Sequence, residues 1–93
     1  MDKAIIEAII RRIPKGSCFD AHTVIKILME KYTEAYLQAY NQQSIVEAFH
    51  SNLAKEIDAF TLPANGKLIE RVGRSWSQNI HNKYSTCTCW KKL

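Results

Sequence analysis

The sequence predicts an α+β fold in which three or four helices precede a C-terminal antiparallel β-hairpin. Two patterns along the chain predict it. Up to Phe60, apolar residues recur at steps of three and four, which is the period of an amphipathic helix. After a turn at 61–66 the step becomes two, which is the period of a β-strand. The 93 residues suffice for a single domain, residues 1–93.

Composition excludes several classes of protein. Hydrophobic residues make up 46% of the chain and charged residues 24%, which are the proportions of a globular protein rather than of a disordered one. No apolar run approaches the ~18 residues that span a bilayer, and the first residues lack the apolar block of a signal peptide. The three cysteines form no complete disulfide framework. We therefore expect a cytoplasmic protein in a reducing compartment, without a membrane partner.

Five isoleucines place the first helix at about 3–13. They recur at helical spacing and so form one apolar stripe, which is expected to face the core: Ile5, Ile6, Ile9, Ile10 and Ile13. Asp2 is positioned to cap the start of this helix, and Pro14 and Gly16 end it.

A short extended segment at 17–19 leads into the second helix, which begins at about 21. Asp20 is a good N-cap residue, and Phe19 and Val24 form a hydrophobic staple across it. The sequence leaves the end of this helix open, because no glycine or proline follows before the third helix. Either the second helix continues to about residue 40, or Thr33 caps a further short helix.

The third helix has the clearest local signal, a capping box formed by Ser44 and Glu47 immediately before an apolar run. The box predicts a helix over about 45–60. Its buried face consists of residues at steps of three and four: Val46, Phe49, Leu53, Ile57 and Phe60.

The hairpin follows a turn in which Pro63 and the Asn65–Gly66 pair break regular structure. Alternating strand formers then predict two antiparallel strands, at about 67–76 and 83–91. A loop at about 77–82 joins the two strands.

The order and lengths of these elements resemble the winged helix-turn-helix superfamily over nearly the whole chain. In that resemblance 17–19 is the first strand, 44–60 is the recognition helix and 67–90 is the wing hairpin. The resemblance implies binding to double-stranded DNA, as in a transcriptional regulator, with the recognition helix in the major groove. Three side chains of that helix would then reach base edges: Ser51, Asn52 and Lys55.

Charge also favours the hairpin as a nucleic-acid contact. Residues 1–59 hold seven basic and eight acidic side chains, net −1, whereas 60–93 hold six basic side chains and one acidic, net +5. Such a segment is a footprint for phosphate, although lysine and arginine also keep an exposed hairpin from aggregating. The candidate phosphate contacts are Arg71, Arg74, Lys83, Lys91 and Lys92, and the candidate phosphate or sugar contacts are Ser75, Ser77, Asn79 and His81.

Two features favour a second function, a protein-interaction module on the same fold without nucleic-acid binding. The stretch 33–43 is longer than the tight turn that usually separates these helices in the superfamily. The expected recognition helix also carries acidic residues, namely Glu47, Glu56 and Asp58. A module of this kind would form a homodimer or dock a protein through its first two helices or through a stripe of Tyr32, Tyr36 and Tyr40.

The tryptophans and cysteines of the hairpin are interpreted as structural residues, and no catalytic motif is found. A simpler explanation for Trp76 and Trp90 than nucleic-acid contact is that they close the hairpin on the core, and this explanation is favoured for Trp90 over Trp76. Cys87 and Cys89, with His81, lack the spacing and the second pair of a structural zinc site, so we expect reduced thiols and neither metal nor cofactor. No glycine-rich phosphate loop is present, and no spacing marks a nucleophile and its base. The sequence therefore predicts no enzyme and identifies no small-molecule substrate.

Overall fold

The structure, a computed structural model, describes residues 1–40 and 46–93. In this part of the chain it has four α-helices and one three-stranded antiparallel sheet, which confirms the predicted α+β class. The helices are α1 (Lys3–Arg12), α2 (Ala21–Lys31), α3 (Thr33–Tyr40) and α4 (Val46–Asp58). The strands are β1 (Cys18–Asp20), β2 (Ile69–Gln78) and β3 (Tyr84–Lys92). Two short 3₁₀ turns, Ala59–Thr61 and Pro63–Asn65, lead from α4 towards β2.

Side-chain caps confirm the predicted starts of α1 and α2. Asp2 Oδ1 accepts a hydrogen bond from the Ala4 backbone N–H at 2.9 Å, and Asp20 Oδ1 accepts one from the Thr23 N–H at 2.9 Å. Each carboxylate satisfies an amide that the helix itself leaves unpaired. The capping box predicted from Ser44 and Glu47 stays a prediction, because Ser44 lies outside the described part of the chain.

The structure also settles where the second helix ends. Tyr32 leaves the helical region, with φ −132° and ψ 44°, and α3 begins at the next residue. The Thr33 hydroxyl donates back to the Met29 carbonyl at 2.6 Å. Of the two alternatives, the further short helix is therefore the one observed, although Thr33 is its first residue and its hydroxyl bonds back to α2 instead of capping α3.

The sheet has the strand order β1-β3-β2, so the short first strand pairs with the base of the hairpin. Phe19 lies opposite Trp90, and β2 pairs with β3 along its length as far as the Gln78–Tyr84 pair. Val72 is an extra residue between Arg71 and Gly73, and it forms a bulge in β2.

The core lies between the helices and the base of the sheet. Its fully buried side chains come from α1, α2, α4 and both hairpin strands, and include Ile10, Leu28, Leu53, Ile69 and Trp90. The Trp90 ring contacts Phe19 with their centroids 5.7 Å apart. The Cα radius of gyration, 12.5 Å, matches the ~12 Å of a folded domain of this length.

The two tryptophans differ completely in burial. Trp90 is fully buried, and its indole N–H donates to Asp58 Oδ1 at 2.9 Å, which confirms that it closes the hairpin on the core. Trp76 is 69% exposed, so the same expectation was wrong for Trp76. Both lie on one face of the hairpin, but the helical layer covers only the base of that face, where Trp90 lies.

Candidate functional site

A cleft of about 210 Å³ lies where α2, α4 and the hairpin meet. Its lining includes His22 from α2, Ser51 and Ala54 from α4, and Arg74, Thr86 and Thr88 from the hairpin. The structure therefore brings Ser51 and Arg74, two residues that the sequence analysis selected on different elements, to one site. Ser51 and Arg74 are both exposed, and so are Asn52 and Lys55 on the same helix.

One face of the hairpin continues from this cleft towards the hairpin loop. The register pairs Arg74 with Thr88 and Trp76 with Thr86, and side chains directly opposite each other point to the same side of a sheet. Arg74 Nη2 donates to Thr86 Oγ1 at 3.1 Å, a contact made across this face. We call this side, formed by Arg74, Trp76, Tyr84, Thr86 and Thr88, the outer face.

An aromatic pair dominates the outer face. The rings of Trp76 and Tyr84 stack with their centroids 5.8 Å apart and their planes within 16° of parallel. Trp76 is 69% exposed and Tyr84 is 58% exposed. The sequence analysis did not name Trp76, Tyr84, Thr86 or Thr88 among the candidate contacts. The alternation of β2 places Trp76 on the same face as Arg74, and the register of the hairpin adds Tyr84, Thr86 and Thr88.

Arg71 occupies a different environment from Arg74. Its Nε donates to Asp58 Oδ1 at 3.2 Å, and its Nη2 donates to Asp58 Oδ2 at 2.7 Å. The Trp90 indole shares the same carboxylate. Asp58 is one of the acidic residues that are unusual in a recognition helix. Its contacts join α4 to the hairpin, and Arg71 balances its charge.

The opposite side of the hairpin, which we call the inner face, turns its polar groups towards the start of α2. Its members are Ser75, Ser77, Ser85 and Cys87. Ser75 Oγ donates to Asp20 Oδ2 at 2.9 Å. His22 Nδ1 and Ser77 Oγ share a hydrogen bond of 2.6 Å, so Ser77, a predicted phosphate contact, is engaged inside the protein.

Asp20 is the best-connected group of this cluster, and it is 8% exposed. Burial by itself raises the pKa of its carboxyl. Hydrogen bonds from the Thr23 backbone N–H, from Ser77, from the Thr23 hydroxyl and from Ser75 favour the charged form and together hold the pKa below its usual value. Asp20 is therefore a carboxylate at neutral pH, and it ties β1 and α2 to the hairpin.

Of the described residues, those best placed to bind a metal lie where the inner face meets the start of α2. One carboxylate oxygen of Asp20, one imidazole nitrogen of His22 and the Cys87 sulfur all lie within 4.8 Å of one another. This set differs from the one the sequence suggested, because His81 is exposed in the hairpin loop. Cys89 is half-buried, and burial, with the charges of Cys18, Asp20 and Cys87, raises the pKa of its thiol. Its thiol is therefore protonated at neutral pH.

The hairpin loop is built by Asn79. Its side-chain oxygen accepts hydrogen bonds from the backbone N–H groups of His81, at 2.9 Å, and Lys83, at 3.2 Å. This makes Asn79 a turn-forming residue, with His81 and Lys83 exposed at the end of the hairpin. Asn82 completes the loop with φ +61°.

The tyrosine stripe packs α3 against α4. Tyr36 is buried, its ring contacts Phe49 with their centroids 5.2 Å apart, and its hydroxyl shares a 2.9 Å hydrogen bond with His50 Nε2. Burial, and then the nearby Tyr40 hydroxyl, raise the pKa of Tyr36. Tyr32 and Tyr40 are half-buried.

No protein-family model, curated protein or solved structure matches the chain. Among the described residues, none of the helices is both long enough and apolar enough to cross a membrane. The function is therefore inferred below from the chemistry of the cleft and the outer face.

Proposed function

We propose that the protein binds double-stranded DNA in the manner of a winged helix-turn-helix domain, with α4 in the major groove and the hairpin as the wing. The observation that carries the proposal is the shared cleft. Ser51 on α4 and Arg74 on β2 line the same cavity, so a helix that reads bases and a cation that holds phosphate would meet one duplex.

The charge of the hairpin supports a phosphate-bearing partner. Residues 71–93 contain five basic side chains and no acidic one. Arg71 is held by Asp58, and Lys92 Nζ donates to the Ile13 carbonyl at 3.2 Å. The exposed cations that the hairpin offers to phosphate are therefore Arg74, Lys83 and Lys91. Lys55 adds a further exposed cation on α4, one helical turn beyond Ser51.

One acidic residue of α4, Asp58, is compatible with this arrangement. Its carboxylate pairs with Arg71 at 2.7 Å, while Ser51, Asn52 and Lys55 are exposed. Because its charge is balanced, Asp58 opposes a phosphate backbone less than an unpaired carboxylate would.

Fluorescence anisotropy with a labelled mixed-sequence duplex tests the proposal. With three to five phosphate contacts, the affinity should fall between about 50 and 200 mM salt with a log–log slope of about −3 to −4.5. Lys55→Ala or Asn52→Ala should change which sequence is preferred, because these residues face the bases. Arg12→Ala, which removes an exposed charge from α1, is the matched control.

Absence of binding at micromolar protein and low salt would overturn the proposal. Sedimentation of the same preparation then addresses the second predicted function. A dimer, or a co-purifying protein in stoichiometric amount, would favour the protein-interaction module over DNA binding.

A further inference from the structure

We propose that the stacked pair Trp76 and Tyr84 is a binding site for an unpaired nucleobase. The inference rests on the proposed function and extends it: the substrate is a duplex that carries a single-stranded segment. The duplex contacts α4 and Arg74 at the rim of the cleft, and the unpaired strand follows the outer face.

The exposure of the pair is the first observation. An exposed tryptophan leaves most of its large apolar surface in water, although burying that surface is what this side chain contributes to a folded protein. Trp90, on the same face of the hairpin, is fully buried, whereas Trp76 is 69% exposed. Packing in the core therefore accounts for Trp90. It does not account for Trp76, whose ring stacks on Tyr84 and is otherwise largely exposed to solvent.

The geometry of the pair is the second observation. Nearly parallel planes, 16° apart, make the two rings a stacked pair that offers an exposed, apolar aromatic surface. Every nucleobase has a π-face that stacks on such a surface, whatever the sequence. In a duplex, neighbouring base pairs cover those faces, so only an unpaired or terminal base can reach the site.

The charges beside the pair are the third observation. Arg74 lies two residues from Trp76 on the same face, and Lys83 precedes Tyr84 in the chain. Thr86 lies directly opposite Trp76 and offers a hydroxyl. An aromatic platform flanked by cations, with no acidic residue in 71–93, is complementary to a single strand, which presents bases and phosphates together.

Intrinsic fluorescence tests the inference directly, because the protein has two tryptophans and only one of them is exposed. The wild-type protein is titrated with a blunt duplex, with the same duplex carrying a six-nucleotide overhang, and with oligothymidine. Stacking should quench the Trp76 emission when the overhang or oligothymidine binds, and should leave the buried Trp90 emission unchanged. The overhang should also bind more tightly than the blunt duplex.

Substitutions then test whether Trp76 and Tyr84 cause the preference for the overhang. The ratio of overhang affinity to blunt-duplex affinity should fall by about 5- to 150-fold in Trp76→Ala, which is the range of one base–aromatic stack. Tyr84→Ala should lower the same ratio, and Trp76→Phe, which keeps an aromatic ring, should retain most of it. Val72→Ala is the matched control, since it truncates an exposed apolar residue of the same strand outside the pair.

The outcomes separate this inference from the proposed function. Salt-dependent binding to the blunt duplex, with no preference for the overhang and no quenching, overturns the inference and leaves duplex binding intact. Failure to bind any of the three probes overturns both. If Trp76→Ala proves unfolded by circular dichroism, the wild-type quenching and the Trp76→Phe ratio still decide.

Discussion

The two faces of the hairpin are built by the same alternating pattern and have opposite surroundings. On the inner face, Ser75 and Ser77 find their hydrogen-bond partners inside the protein, in Asp20 and His22. On the outer face, the aromatic pair and Arg74 remain exposed. In the half of the hairpin nearer the loop, the serine side chains face inwards and the aromatic pair faces the solvent.

On this hairpin, residue type therefore does not predict exposure: a polar side chain can be engaged inside the protein and an aromatic one can face the solvent. A hydroxyl in a predicted binding region is easily taken for a phosphate contact, but Ser77 serves the inner network. A tryptophan is easily taken for core, but Trp76 lies beyond the helical layer. The inner face is therefore expected to determine stability, and the outer face to determine binding.

The largest expected difference between the faces is in stability. Asp20→Ala removes the cap of α2 and leaves the Ser75 hydroxyl without its partner, which should cost about 2–3 kcal/mol and lower the Tm by about 10–20 °C. Thr86→Ala, on the outer face, should change the unfolding free energy by no more than about 0.5 kcal/mol. Urea unfolding of both variants measures the contrast, and equal losses would contradict the assignment of the faces.

The pH dependence of stability should sharpen the same contrast. The pKa of Asp20 is lowered in the folded protein, so the folded state binds a proton there less readily than the unfolded state. The stability that Asp20 contributes is present above its unfolded pKa of ~3.9 and is lost as the pH falls through the folded pKa. Between about pH 4.5 and pH 2, the unfolding free energy of the wild type should fall more steeply than that of Asp20→Asn. Parallel curves for the two proteins would contradict this role.

The sequence predicted the local elements well because their signals are local. The isoleucine stripe and the caps at Asp2 and Asp20 locate α1 and α2 to within a residue or two, and the change of period locates the hairpin. The break at Tyr32 has a weaker signal, because no glycine or proline marks it and Thr33 alone suggests a new helix. The sequence therefore left two alternatives open there.

The parts of the site that the sequence missed depend on contacts between distant segments. Asp20 meets Ser75 across 55 residues, and Arg71 meets Asp58 through folding of the hairpin base onto α4. The register of the hairpin places Trp76 and Trp90 on the same face. They differ because Trp76 pairs with Thr86, four residues and about 13 Å along β3 from Trp90. How far the helices cover a strand cannot be read from its period.

Two arginines in β2 offer a finer test of the outer face. Arg74→Ala should weaken binding to all duplex sequences alike and reduce the log–log salt slope by about one, because it removes one phosphate contact. Arg71→Ala should reduce the slope by less, because Arg71 is already paired with Asp58 and would have to leave that pair to reach a phosphate. The measurement is anisotropy at four or more salt concentrations. A larger slope change for Arg71→Ala would show that the ion pair opens on binding.

The smallest expected effect concerns metal on the inner face, where the expectation is no change. Asp20, His22 and Cys87 lie close enough to ligate one ion, which would turn the inner face from a hydrogen-bonded support into a metal site. Their donors are three, whereas structural zinc sites use four, and the atoms of Asp20 and His22 already hold hydroxyl partners. Incubation with a chelator should therefore leave the Tm unchanged within about 1 °C, since a bound structural ion would contribute several kcal/mol.

Elemental analysis of the purified protein supplies the second measurement. Stoichiometric zinc, together with a Tm that falls on chelation and recovers on adding zinc, would show that the inner face binds metal. In that case Cys87→Ser should abolish zinc binding. Cys18→Ser, which changes the exposed cysteine of β1, should still bind zinc.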